Sequence, residues 1–435
     1  MNKRNLIIPM VILLTGAVIP LRGQALLTAD DAVRIALEKN YDIRIARNDA
    51  DIARLNNTPG NAGMLPGIQM NGTGNYAINN ANVTFATGTE KQIPSAVSSS
   101  LSAGTQLTWK LFDGGKMFVT KNKLAEIQAL GEIQYRDRVL QTLYGVISAY
   151  YDVVRQEQQL ASMKEIIDFN EEQVTIARAG FEAGSLIKSD LLQARIDLNV
   201  AKENAINQQF AIDAARKTLN GLLGRDPNEA FEVADSIPLD YHPDRQRILQ
   251  QADSANTTLM AFRKQIDIAK LSLKEFHSGY LPQLNVSGGY YFSRSGNAAG
   301  SVVSSQIFGP QFGGTLSIPI FSAGENRRKT ATARLDLLSA EYDLSNVKLQ
   351  VNTELGNALT SFANQQQLLQ IEKENNELAR EDLNISMERL RLGQTTTLEV
   401  HLAKENYVLS CTRLTNFEYN LKIAETRLKQ LVSQL

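Results

Sequence analysis

The second half of this chain repeats the first. Residues 185–222 carry a seam stepping by three and four: Leu191, Ala194, Leu198, Ala201, Ala205, Gln208, Ile212, Ala215, Leu219 and Leu222. At a constant offset of 209 it is answered by Val400, Ala403, Tyr407, Ser410, Leu414, Phe417, Leu421, Ala424, Leu428 and Leu431. A heptad seam shared in register means an internal duplication built on long packed helices. The same offset pairs Gly184 with Gly393, Asp190 with Glu399 and Phe112 with Phe321. Upstream the offset becomes 216, pairing Leu65-Pro66 with Leu281-Pro282 and Asn40 with Asn256. The difference falls in the region between. Each half reads as helix, strand, loop, strand, long helix, turn, helix, with a first repeat over 26–227 and a second over 228–435.

Helix lengths constrain the layout. Outgoing segments 116–180 and 325–389 contain no proline and few glycines, and with the returning segments they form helical hairpins at 116–222 and 325–431. Each outgoing helix is nearly matched by a returning helix plus the helix expected near 29–56 or 243–277, stacked end to end. At 1.5 Å per residue the helical layer stands roughly 100 Å tall. The apolar arc around Leu140, Leu143, Val146, Ile147 and Tyr150 is wide enough for a neighbour on each side, as in a ring of helices.

Charge is missing from two stretches. From Leu55 to Trp109 only Glu90 and Lys91 are charged, and from Ser278 to Gly324 only Arg294. A flexible linker would show no alternation, but these segments do. Ile68, Met70, Gly72, Gly74, Tyr76 and Ile78 take one parity against Gln69, Asn71, Thr73 and Asn75. Similar alternation predicts strands at about 64–79, 99–111, 281–293 and 310–321. Strands of that length cross a bilayer as part of a barrel, and Tyr76, Trp109, Tyr290, Phe292, Phe308 and Phe312 suit its interfacial girdles. The intervening 80–98 and 295–307 read as exposed loops.

Four strands cannot close a barrel, and an open edge in lipid leaves backbone groups unpaired. The chain must therefore oligomerise around an axis. A dimer gives eight strands with a filled interior, and a trimer twelve with a water-filled lumen. The polar strand faces favour the trimer. The fold class is thus mainly α with a small membrane β-barrel part.

The remaining composition narrows function by exclusion. Net charge is −1, so no basic excess points to nucleic acid. One cysteine, Cys411, and three scattered histidines leave no metal cluster or cofactor site by spacing. The reading is of a non-enzyme. At the start, Lys3 and Arg4 precede an uncharged run from Asn5 to Leu21, and Gly23-Gln24-Ala25 offers small residues for cleavage. Residues 1–25 thus read as a signal peptide.

These residues resemble the TolC family of outer-membrane efflux proteins. LTADDAVRIALEKNYDIRIARNDADIARL near the start is similar to the family's N-terminal helix. LFDGGK at 111–116 and IPIFSAGENRR at 318–328 resemble its strand-to-helix signature. GFEAGSLIKSDLLQAR at 180–195 and RLRLGQTTTLEVHLAK at 389–404 resemble its two hairpin tips, and LNGLLGRDP at 219–227 the end of its first repeat. The resemblance implies a homotrimer with a twelve-stranded barrel in outer-membrane lipid, above a long periplasmic α-helical tunnel. It implies a passive exit duct for drugs or secreted proteins, served by a periplasmic adaptor (membrane fusion) protein and an inner-membrane transporter. In the family, paired acids three residues apart ring the periplasmic constriction. Here Glu399 matches the first and Leu402 stands at the second, while Asp190 offers a carboxylate from the first repeat. The gate reading therefore names Asp190 and Glu399, and helix capping is the competing explanation. The adaptor-docking tips would be Gly184, Ser185, Leu186, Gly393, Gln394, Thr395 and Thr396. The alternative to a duct is a soluble periplasmic coiled-coil scaffold or adaptor.

Overall fold

The structure, a computed structural model, describes residues 26–299 and 302–435. The signal-peptide reading of 1–25 lies outside the described residues. In the first half come α1 (Ala29–Lys39), α2 (Tyr41–Asn56), β1 (Gly67–Thr84), β2 (Glu90–Asp113), α3 (Lys116–Glu182) and α4 (Lys188–Leu222). The second half follows with α5 (Arg245–Ala255), α6 (Thr257–His277), β3 (Gln283–Asn297), β4 (Ser304–Ser317), α7 (Glu325–Arg391) and α8 (Thr397–Leu431). Every boundary of α7 and α8 lies 209 residues after that of α3 and α4. Both long helices have 67 residues, about 100 Å at the standard rise.

The short helices differ from expectation in one instructive way. Residues 29–56 and 243–277 each break into two helices, at Asn40 and Asn256. Each asparagine does two jobs. Asn40 Oδ1 accepts from the Ile43 amide at 3.1 Å, capping α2, while its Nδ2 donates to the Leu222 carbonyl at 2.7 Å. Asn256 repeats this with the Leu259 amide at 3.1 Å and the Leu431 carbonyl at 3.0 Å. The end-to-end stack is thereby fastened to the C-terminus of the returning helix in each half. Replacing either asparagine with alanine removes a helix cap and orphans a carbonyl that is buried at Leu431 and part-buried at Leu222. We expect each change to cost about 1–2 kcal/mol in thermal or chemical denaturation, with no effect from Asn→Ala at exposed Asn204.

The four strands form one antiparallel sheet in sequential order, leaving β1 and β4 as edges. Strand boundaries correct the sequence reading. β1 starts at Gly67 rather than 64 and continues to Thr84, and β2 begins at Glu90 rather than 99. The expected strand end at 79 is passed by the ladder through an irregularity between Asn79 and Ala81. The Asn80 side chain accepts from the amide of Ser95, whose φ is 52°. Similarly β3 runs to Asn297 and β4 starts at Ser304, so the expected loops 80–98 and 295–307 shrink. β4 stops at Ser317 instead of 321. Its continuation matches Trp109–Phe112 of β2, which pair with β3, whereas among the described residues no strand of the same chain pairs beyond β4.

Register sorts the faces. Ile68 opposes Leu107, Leu107 opposes Gly288, and Gly288 opposes Phe312, so these four stand on one face. Tyr76, Trp109, Tyr290, Phe292 and Phe308 share it by strict alternation. The other face carries Asn71, Thr73, Ser102, Ser287 and Gln311. On that polar face the Tyr291 ring covers Gly104 and Gly289, where an added Cβ would meet ring carbons at 2.7 and 2.9 Å.

Apolar cores lie along the helices. Val146, Tyr150, Val153 and Val154 of α3 pack with Ala32 and Ala36 of α1 and Leu219 of α4. The second half mirrors this with Leu355, Ile248 and Leu428.

Candidate functional site

At the first tip, α3 ends in a left-handed Gly184 with φ 77°, and the Ser185 amide closes back onto the Gly180 carbonyl at 2.8 Å. Glycine is favoured there because a Cβ in that conformation is strained. The Leu186 side chain folds over Gly180, within 2.7 Å of where a Cβ would sit. α7 ends the same way at Gly393, φ 69°, with the Gln394 amide on the Arg389 carbonyl at 2.8 Å.

Asp190 and Glu399 occupy equivalent places in the first turn of α4 and α8. Both carry local contacts. Asp190 Oδ2 accepts from the Ile187 amide at 3.3 Å, and its Oδ1 accepts from the Thr397 hydroxyl at 3.3 Å. The latter contact brings the two tips together within one chain. Glu399 accepts from Thr395 Oγ1 and, at 2.5 Å, from Arg389 Nη1, while Thr396 Oγ1 caps its amide at 3.4 Å. The Thr395 hydroxyl, followed by Arg389, holds the exposed Glu399 carboxyl below the usual carboxylate range.

Directly above the tips the hairpins are joined by a polar network that sequence reading did not assemble. Lys404 of α8 and Asp197 of α4 are 6% and 8% exposed. Lys404 Nζ donates to Asp197 Oδ2 and Asn170 Oδ1, both at 2.8 Å. Gln193 donates to Asp197 Oδ1 at 2.8 Å, and His401 Nδ1 lies 3.0 Å from Oδ2. Burial pushes the Asp197 carboxyl up, but hydrogen bonds from Lys404, Gln193 and His401 outweigh it, leaving the group below the usual range. His401 also approaches Glu405 at 3.4 Å. A cleft of about 510 Å³ opens over this network between α3, α4 and α8.

Two further ties join the hairpins. Glu165 of α3 meets Arg380 of α7 at 2.7 Å and accepts from the Tyr407 hydroxyl at 2.9 Å. Glu172 pairs with Arg391. The signal for these residues was weak because they flank the apolar seam rather than interrupt it: Asp197 adjoins Leu198, and Lys404 adjoins Ala403. Cys411 is buried between the helices of the second hairpin, with Asn376 Nδ2 at 3.3 Å.

A paired set of long hairpins, a charge-poor sheet with one apolar face and two glycine-ended tips now stand together. The sequence pattern described as outer membrane efflux protein matches residues 32–225 and 248–434. The chain belongs to the outer membrane efflux protein family. It is an outer-membrane protein with a TolC-like fold, as its motifs implied, and it serves as an exit duct. The family consists of channels.

Among relatives, the alkaline protease secretion protein AprF of Pseudomonas aeruginosa is 23% identical over 72% of this chain. That match spans 65% of the relative. The proteases secretion protein PrtF of Dickeya chrysanthemi is 21% identical over 96% of this chain and 90% of its own length. Among solved structures, the Campylobacter jejuni CmeC outer membrane channel superposes with a TM-score of 0.75 at 18% identity. It covers 93% of this chain and 85% of its own.

Proposed function

We propose that three copies of this chain close into a passive exit duct, whose barrel has twelve strands and whose helices line a periplasmic tunnel. One observation carries the reading: the free edges of the chain are repeats of edges already satisfied inside it. Within one copy β2 pairs with β3, α6 packs on both α3 and α7, and α8 packs on α3. Applying the repeat once more sends β4 to the next copy's β1, and α7 to the next copy's α4 and α2. The side chains waiting there are apolar. Ile206 and Leu368 hold the places of Thr415 and Gln159, which hydrogen-bond at 3.3 Å inside the chain, and they are 71% and 41% exposed. On α2, Tyr41, Ile45, Ile52 and Leu55 form another exposed apolar stripe.

A duct performs no catalysis, so work must come from an inner-membrane transporter reached through a periplasmic adaptor. The tips Gly184, Ser185, Leu186, Gly393, Gln394, Thr395 and Thr396 are the docking surface. Asp190 and Glu399 of three copies supply six carboxylates at the constriction, favouring cations there. Their capping contacts orient them. Tyr76, Trp109, Tyr290, Phe292, Phe308 and Phe312 face outer-membrane lipid. Small molecules such as drugs, or secreted proteins, are the cargo, and two relatives are named for protease secretion. A soluble coiled-coil scaffold has no use for the charge-poor sheet.

The test is a cysteine pair, Ile206→Cys with Leu368→Cys, in a Cys411→Ser background. Oxidation should yield covalent dimers and trimers on a non-reducing gel. Monomers alone, while the intrachain Gln159→Cys/Thr415→Cys pair closes normally, would contradict the assembly.

A further inference from the structure

One charge in the sheet is unexplained by the duct. Arg294 is the sole charged residue between Ser278 and Gly324. Register places it on the apolar face, in line with Val286, Tyr290 and Phe292 and opposite Leu101 and Gln306. Neither neighbour can neutralise a guanidinium. An uncompensated arginine on a lipid-facing strand costs about 2–4 kcal/mol at the bilayer midplane and close to nothing at the interface. Its depth therefore matters. Ten residues separate it from Leu284, near the helical end of β3. That is about 33 Å of strand, or about 25 Å of height at a tilt of about 40°, the height of the apolar band of such barrels. On β3 and β4 the composition of the face changes in this same row. β3 passes from Phe292 to Arg294 and then Gly296, while β4 passes from Phe308 to Gln306 and then Ser304.

We propose that Arg294 is a binding site for the phosphate of an outer-leaflet lipid. The strand holds the guanidinium at the upper margin of the apolar band, with the rings of Phe292 and Phe308 paired one step below. Aromatic side chains at that level fix the depth of a barrel in the membrane. A planar guanidinium offers two parallel N–H donors to phosphate oxygens. The missing counter-charge thus comes from the membrane rather than from the protein. Three copies would carry three such sites around the rim. This inference rests on the barrel reading, which insertion of the wild type into phosphatidylcholine liposomes tests by itself.

The test uses the purified full-length protein in detergent. Native mass spectrometry would measure binding of bis-phosphorylated lipid A, of the same lipid dephosphorylated, and of inorganic phosphate. For the wild type, the phosphorylated lipid should bind at least about tenfold more tightly than the dephosphorylated one, the scale of a charged hydrogen bond. Arg294→Ala should abolish that preference, and Arg294→Lys should retain part of it. Equal binding of both lipids by the wild type would overturn the site, as would a preference persisting in Arg294→Ala. Inorganic phosphate competing on equal terms with the lipid would overturn the lipid as its occupant. The wild-type comparison stands even if a variant fails to fold.

Discussion

Lys404→Met should destabilise the protein by about 3–5 kcal/mol, the usual cost of leaving one partner of a buried ion pair unpaired. Methionine fills the space of the lysine stem, so packing is largely kept. What it removes is the pair of 2.8 Å hydrogen bonds to Asp197 and Asn170. His401 remains 3.0 Å from the same Asp197 oxygen. Denaturation above the ordinary carboxylate range reads the loss. The double variant Asp197→Leu/Lys404→Met should recover most of it, because two charges removed together leave no orphan. In the wild type the Asp197 carboxyl lies below its usual value. Its contribution is therefore complete above the ordinary carboxylate pKa and disappears as the pH falls through the lower folded value. A wild type that loses stability as pH rises through the same range would contradict the assignment.

The second large effect concerns the tips. Asp190→Asn with Glu399→Gln keeps hydrogen-bond acceptors where the helix-end and Thr395 contacts require them, so the tips should stay folded. In the trimer and gate proposed above, six charges would nevertheless leave the constriction. Block of the open pore by a trivalent cation should weaken by at least about tenfold in concentration, since clustered carboxylates act together on one multivalent ion. Unchanged block would leave both residues as helix caps and place the constriction elsewhere.

Much of this architecture could be read from the repeat alone. The seam of Ala194, Leu198 and Ala201 against Ala403, Tyr407 and Ser410 defined the long hairpins, because 3-4 periodicity survives any local detail. Strand ends were less legible. Asn79-Asn80 carries turn chemistry, yet backbone pairing continues past it with one irregularity, and alternation has no means of recording a ladder that outlasts it. The break at Asn40 was hidden for a similar reason. A cap inside a continuous amphipathic pattern shows only when the distant Leu222 carbonyl it serves is in view. The Asp197–Lys404 pair escaped because charge beside a seam usually belongs to solvent, and only the packing of α8 over α3 and α4 turns that position inward.

The most direct test of the duct is single-channel recording of the purified protein in a planar bilayer. The account predicts small, stepwise, long-lived conductances that a trivalent cation blocks from the side bearing the helical tips, and that Asp190→Asn/Glu399→Gln relieves of block. A folded oligomer that never inserts, or that inserts without any conductance step in wild type and variant alike, would contradict it.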